Sequence, residues 1–347
     1  MLGANTNFGN WEGMAKRKIT DQQQRRIHRK QSTSIHAGAQ KKSEALLSSG
    51  QLGPEQEGIV STRYSNQVDV ISSAEGQPHR CYLRSNLVSV VTGDKVIWCQ
   101  GEPYGVVSAV LPRATQLDRP DARGKLRPVA ANIDRIVVVI APEPMPHANL
   151  IDRYLVAIEH QGITPVLVLN KVDMDSDKTA VARTLIQVYA ELGYEVIEAS
   201  AESKQGLEQL TKALAEHTSV FVGQSGVGKS SVINAICPSA KAAVGVLSEA
   251  HTQGRHTTTR ANLFFLREGG RLIDSPGIRE FGLIHLDERD IALGFVEFLP
   301  FLGQCKFRDC SHEQEPGCAL QDALEDGKIS LQRMRSYEQI KRSLTMG

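Results

Sequence analysis

Gly223-Gln224-Ser225-Gly226-Val227-Gly228-Lys229-Ser230 fits the phosphate-binding-loop pattern G-x-x-x-x-G-K-[ST]. The flanks supply the context that this pattern requires. Thr218–Val222 reads as a short buried strand, and Ser230–Cys237 reads as a helix that Pro238 ends. Glycines let the backbone close around a phosphate so that successive N–H groups point inward, and the helix start adds its positive dipole end. Lys229 then reaches the β- and γ-phosphates, and the Ser230 hydroxyl ligates Mg²⁺. The competing reading is a glycine-rich turn that carries a surface lysine.

The segments on either side of this unit alternate between strand and helix. The expected strands are 133–141, 164–169, 195–199, 262–266 and 271–273, and the expected helices are 149–160, 179–192 and 207–216. The run Ile136–Ala141 is continuously apolar, as a strand covered on both faces requires. Together these predict a doubly wound α/β sheet over residues 128–285, with nucleotide at the strand ends.

Four further motifs fall on this frame. Asn170-Lys171-Val172-Asp173 follows the strand 164–169 and fits N-K-x-D, the pattern of guanine recognition. A carboxylate at Asp173 accepts from N1–H and the exocyclic amine of guanine, and adenine would leave it poorly paired. Ser200-Ala201, after the strand 195–199, matches the short S-A element that supports the base through its backbone. Asp274-Ser275-Pro276-Gly277 fits D-x-x-G, with Asp274 toward Mg²⁺ and the Gly277 amide toward the γ-phosphate. His256-Thr257-Thr258-Thr259 lies between the loop helix and that motif, and one of its threonines, with Thr258 favoured, is expected to complete the Mg²⁺ shell. N-K-x-D and S-A come before the phosphate loop here, whereas Ras-like GTPases carry them last. The same parts in rotated order describe a circular permutation.

Residues 1–57 are rich in Gln, Ser, Gly, Lys and Arg. Nine basic residues against three acidic ones leave +6 on residues 1–50 of a chain whose net charge is +1. Such an arm is expected to stay mobile when free, and it suits RNA phosphates or simply solubilises. Residues 58–127 open with short β runs at 59–64, 68–71, 80–83, 88–91, 95–98 and 106–111, which predict a small barrel of OB or SH3-like type. Pro112–Pro128 reads as a linker or extended loop. Residues 286–347 read as helices at 287–298 and 330–344, with Ser330 as N-cap of the second, around a cysteine cluster.

That cluster is Cys305-x4-Cys310-x-His312-x5-Cys318, a donor set that suits a tetrahedral structural Zn²⁺. A disulfide or inert buried thiols are the rival readings. Lys306, Arg308 and the basic face of the last helix (Arg333, Arg335, Lys341, Arg342) either touch RNA or form a solvated face. Cys81, Cys99 and Cys237 are expected in the core. No signal-peptide core and no membrane-length apolar run is present, so a cytoplasmic protein without a membrane role is expected, and nothing demands more than a monomer.

The barrel, the permuted motif order and the zinc spacing together resemble the ribosome small-subunit-dependent GTPase A family of bacteria, over about residues 58–345. The resemblance implies an OB-fold for the barrel and GTP hydrolysis to GDP and phosphate stimulated by the small subunit. It also implies contact with 16S rRNA and a role in late subunit maturation. It places guanine on Asn170, Lys171 and Asp173, phosphates and Mg²⁺ on Gly223 through Ser231, and zinc on Cys305, Cys310, His312 and Cys318. One departure from Ras-like enzymes matters for mechanism. Ile278 follows Gly277 where those enzymes carry a water-orienting Gln, so intrinsic hydrolysis should be slow. His256 is the candidate for the missing catalytic group, against a loop histidine that docks on RNA or on nothing. The alternative function is a GTP-gated RNA-binding switch with incidental turnover and a non-ribosomal partner.

Overall fold

The computed structural model describes residues 43, 45–46, 52–72, 76–87, 89–120, 125–174, 176–240, 261–274, 286–313 and 315–345. Most of the basic arm, the stretch that holds His256 and Thr258, and the segment that holds Gly277 and Ile278 lie outside these residues.

Five strands close the first unit: β1 (Glu55–Arg63), β2 (Gln67–Ile71), β3 (His79–Leu83), β4 (Lys95–Cys99) and β5 (Gly105–Val110). Pairing runs β1-β2-β3-β5-β4 and returns from β4 to β1, with β3 and β5 parallel, which is the closed OB-like order. Alternate residues point inward. Val60, Val68, Val70, Cys81, Val96, Trp98 and Val107 fill the interior.

The strand expected at 88–91 does not form over the described residues 89–91. The β1 backbone is already taken there, because Gly93 N–H donates to Val60 O (2.9 Å) and Val60 N–H donates to Asp94 O (2.9 Å). The buried Asp94 carboxylate accepts the Val91 amide at 2.7 Å and pairs with Arg113, which folds the segment back as a turn. The stretch read as a linker, Pro112–Pro128, also differs. It contains β6 (Gln116–Pro120) and enters β7 (Leu126–Ala131), a two-stranded antiparallel ribbon. Prolines are tolerated because each strand of a two-stranded ribbon has an unpaired side. Leu117 and Ala130 anchor the ribbon in the core of the next unit.

That unit contains β8 (Arg135–Ile140), α1 (Ala148–His160), β9 (Thr164–Leu169), α2 (Asp177–Glu191), β10 (Glu195–Glu198), α3 (Leu207–Leu214), β11 (Thr218–Val222), α4 (Lys229–Ile236), β12 (Asn262–Phe265) and β13 (Arg271–Asp274). Its strand order is β10-β9-β8-β11-β13-β12, parallel except for β12. The chain winds one way from β8 and the other way from β11, so the order reverses between these two strands. Ligand crevices of doubly wound sheets lie at such a switch point, beyond the carboxyl ends of the strands. The antiparallel edge strand β12 also pairs with β1 (Thr62 opposite Asn262), which joins barrel and α/β sheet into one hydrogen-bonded surface.

The C-terminal module holds α5 (Glu288–Leu293), α6 (Ala319–Glu325) and α7 (Leu331–Thr345). The helix expected over 287–298 is α5 followed by a separate 3₁₀ turn, Val296–Phe298. Three residues per turn align positions i and i+3. Phe295 and Phe298 therefore stack at 4.8 Å, and both meet the edge of Tyr337. Ser330 Oγ accepts from Arg333 N–H at 3.2 Å, as an N-cap should. Val156 and Ala157 of α1 complete this core, so the module sits directly on the α/β unit. At the junction Arg333, 1% exposed, pairs with Asp152 of α1 and grips Glu297 through Nε (2.6 Å) and Nη2 (3.0 Å). Tyr189 of α2 donates to the same Asp152 at 2.7 Å.

Candidate functional site

The phosphate-loop pattern occupies the turn from β11 into α4. Gly223, Gly226 and Gly228 take φ of 138°, 86° and 90°, where side-chain-bearing residues are strained. A Cβ on Gly223 would stand 2.2 Å from Val139 O, and one on Gly228 would stand 2.4 Å from Asn170 Nδ2. These two positions therefore need glycine for closeness as well as for conformation. Lys229 curls over the loop and donates from Nζ to Gly223 O (2.7 Å) and Gln224 O (2.5 Å). Gln224 and Lys229 are half-buried, Val227 is buried, and Ser225, Ser230 and Ser231 are exposed.

The N-K-x-D residues lock onto this loop. Asn170, buried at the end of β9, donates from Nδ2 to Val227 O (2.9 Å) and accepts at Oδ1 from Ala201 N–H (3.3 Å). One side chain thus ties the phosphate loop to the S-A element. Lys171, at φ 63°, donates from Nζ to Gly226 O (2.7 Å) and Glu143 O (2.9 Å). Val172 is buried and its amide donates to Ala199 O (3.3 Å). Asp173, the next residue, is exposed. Ser200 Oγ accepts from Glu202 N–H (3.2 Å) and Ser203 N–H (2.9 Å), which shapes the turn that presents Ala201.

Asp274 ends β13, which pairs in parallel with β11 (Val220 opposite Ile273), so it sits beside the strand that feeds the phosphate loop. The crevice therefore brings together Asn170, Lys171, Val172, Asp173, Ser200, Ala201, the loop 223–231 and Asp274. Gly277, Thr258 and His256 fall outside the described residues. Sequence reasoning missed the segment after β8. Glu143 supplies a carbonyl to Lys171, and Pro144 Cδ stands 3.6 Å from where a Gly226 Cβ would be. The available signal was the run Ala141-Pro142-Glu143-Pro144, placed at the carboxyl end of a central strand.

The second site lies in the C-terminal module. Ligand atoms of Cys305, Cys310, His312 and Cys318 all lie within 4.8 Å of one another. Cys305 Sγ and Cys318 Sγ are each 3.5 Å from His312 Nδ1. Sulfur and nitrogen ligands of one tetrahedral Zn²⁺ stand roughly 3.5–3.8 Å apart, so the donor set fits that ion. The Ala319 amide donates to Cys305 Sγ at 3.4 Å, which fixes that sulfur at the start of α6. Burial pushes the Cys310 thiol up to about 12 and holds the His312 imidazole below its ordinary value. Neutral imidazole is the ligating form, and a divalent cation supplies the charge that stabilises crowded thiolates. Glu315 fastens the loop by accepting from Ser311 N–H (2.8 Å) and Glu313 N–H (2.9 Å). The bond from the Ser311 hydroxyl, with these backbone bonds behind it, holds its carboxyl down at about 2. Lys341 on α7 donates to Ser311 O at 2.9 Å, so the last helix also holds the cluster. Cys81, Cys99 and Cys237 are buried, as expected.

A phosphate loop at the switch point of a doubly wound sheet, with N-K-x-D on an upstream strand and an OB-like barrel in front, defines the class of circularly permuted P-loop GTPases. The family model for RsgA GTPase matches residues 110–284. A protein of Ectopseudomonas mendocina (strain ymp), "Small ribosomal subunit biogenesis GTPase RsgA", is 53% identical over 338 residues, covering 95% of this chain and 98% of the relative. One of the same description from Pseudomonas aeruginosa (strain LESB58) is 53% identical over 335 residues, with the same coverage. Among solved structures, YjeQ from Thermotoga maritima is similar with a TM-score of 0.70 at 32% identity, over 84% of this chain and 99% of that one. YloQ, described as a circularly permuted GTPase, gives 0.68 at 27% identity, over 84% and 96%. The chain belongs to the RsgA GTPase family.

Proposed function

We propose that this protein is a GTP hydrolase that binds the small ribosomal subunit, contacts its 16S rRNA and acts late in the maturation of that subunit. The observation that carries the reading is Asn170, whose two hydrogen bonds join the guanine motif, the S-A element and the phosphate loop into one crevice. The description shared by relatives at 53% identity supplies the ribosomal partner. Guanine is assigned to Asn170, Lys171, Val172, Asp173, Ser200 and Ala201. The phosphates are assigned to Gly223 through Ser231, with Lys229 Nζ leaving its two carbonyls for the β- and γ-oxygens. Mg²⁺ accompanies GTP and neutralises phosphate charge, with Ser230, Asp274 and Thr258 as its holders. Gly277 attends the γ-phosphate. His256 is assigned the hydrolytic role left open by Ile278. One structural Zn²⁺ is assigned to Cys305, Cys310, His312 and Cys318. The protein acts as a cytoplasmic monomer without a membrane role, in four parts (1–57, 58–127, 128–285 and 286–347) whose first two boundaries shift with the strands, since β1 of the barrel begins at Glu55 and β7 runs across 127/128 to Ala131, with the barrel and the zinc module gripping rRNA on either side of the nucleotide crevice. Among the described residues no helix is long and apolar enough to cross a membrane.

Asp173→Asn tests the base assignment. The amide turns an acceptor toward a donor, so affinity for GTP should fall about 10- to 100-fold, while xanthosine triphosphate should bind better than to the parent protein. Competition binding of the two nucleotides gives the ratio. An unchanged ratio rejects the assignment of Asp173.

A further inference from the structure

The Cys305–Cys310 loop carries Lys306-Phe307-Arg308-Asp309 at its tip, and all four side chains are exposed. Phe307 is 46% exposed, unusual for a phenylalanine in a module whose Phe295 and Phe298 are wholly buried. It borders a groove of about 660 Å³ beside the cluster, whose apolar wall includes the 45%-exposed Leu293 of α5. Lys306 Nζ lies 5.6 Å from the Phe307 ring centroid. The lysine stem rests on Gly317, where a Cβ would stand 3.0 Å away, so the ammonium is propped beside the ring. Arg308 follows on the loop, and Arg289 lines the same groove from α5.

The charge at this rim is lopsided in use. Among the described residues Arg289, Lys306 and Arg308 enter no ion pair, whereas Glu288 is taken by Lys341 at 3.1 Å. Asp309 is the remaining acidic group on the groove wall. An exposed ring with cations on both chain sides and a third across the groove is complementary to a flat apolar surface joined to anions. An unpaired nucleotide has that chemistry. Every base has a π-face, and its flanking phosphates suit the three cations. Cys305 and Cys310 at the two ends of this loop belong to the cluster, and a metal held there would fix both ends so that little ordering is required on contact.

We propose that Phe307 is a stacking platform for one unpaired base of RNA, with Lys306, Arg308 and Arg289 on the adjoining phosphates. The proposal rests on the ribosomal reading given above and sharpens it. The groove takes a single-stranded or bulged segment rather than a duplex, whose bases are stacked on each other and closed to the ring.

The test uses the full-length, zinc-loaded protein and purified small subunits in a co-sedimentation titration. Phe307→Ala should weaken binding about 5- to 150-fold, whereas Phe307→Tyr, which keeps the ring, should bind within about twofold of the parent. Zinc content of one per chain in both variants separates this loss from collapse of the loop. Arg308→Ala should flatten the salt dependence by about 0.7 in log–log slope, the value for one single-strand phosphate. With benzoylphenylalanine at position 307, irradiation should crosslink the protein to rRNA. Parent-like binding by Phe307→Ala, or a crosslink to a ribosomal protein, overturns the proposal. Should the parent itself fail to sediment with small subunits, the ribosomal reading fails first. A fluorescein-labelled single-stranded RNA decamer then decides the stacking proposal, which stands if Phe307→Ala binds it more weakly and falls if the two bind alike.

Discussion

Lys229→Ala should lower GTP turnover by at least about 10²- to 10³-fold, the range seen when one preorganised donor to developing charge is removed. Lys229 stands in the first turn of α4, over a loop whose glycines keep the backbone close to Val139 and Asn170. Its Nζ is held by two loop carbonyls, a placement that keeps the cation over the phosphate cradle. Alanine leaves the three glycine turns intact, since Asn170 and Lys171 hold Val227 and Gly226 independently. The variant should therefore melt close to the parent temperature while turnover is lost. Lys229→Arg should not rescue, because a planar fork does not substitute for a compact ammonium inside a closed loop. Parent-level hydrolysis by Lys229→Ala would remove the phosphate assignment altogether.

Arg333→Leu should cost about 3–5 kcal/mol of stability, because it strands carboxylates whose partner was a buried cation. Asp152 is fully buried and Glu297 is 8% exposed, so neither has water to turn to. The Arg333 guanidinium also lies 4.3 Å from the Phe295 ring centroid, adding cation–π contact to the junction. The loss should appear in chemical denaturation as early release of the C-terminal module, because the broken contacts join α7 to α1. The double change Arg333→Leu with Asp152→Leu removes a charge together with its partner and should recover part of the loss. A single variant as stable as the parent would show that the apolar contacts of Val156 and Ala157 and the hydrogen bonds of Asn149 and Arg153 to α7 hold the junction without Arg333.

The crevice at the switch point was legible in the sequence because each of its described parts is a short motif whose position at a strand end follows from periodicity. The apolar run 136–141 announced a central strand, and N-K-x-D gained its meaning from the strand before it. The cluster of Cys305, Cys310, His312 and Cys318 was legible through spacing and residue type. What escaped the reading depended on contacts between segments distant in sequence. The turn at Ser89–Asp94 is made by a buried carboxylate that captures an amide and Arg113, and valine content alone suggested a strand. The ribbon 116–131 hides behind prolines and charges, and its burial comes from Leu117 and Ala130 entering another unit's core. Arg333 looked like one more basic residue on a solvated or RNA-facing helix, yet it is the most deeply buried cation of the junction. A helical pattern gives the face of a residue, and only the packed neighbour gives its partner. The exposure of Asp173 beside the buried Val172 is likewise something no motif encodes.

The direct test is steady-state GTP hydrolysis by the purified full-length protein with small subunits, with large subunits and with neither. Ile278 in the place of a water-orienting side chain predicts slow hydrolysis by the protein alone. Strong acceleration by small subunits, with none from large subunits, is the predicted result. Equal rates in all three mixtures, with GTP still bound, would contradict the account and leave a nucleotide-gated RNA binder in its place.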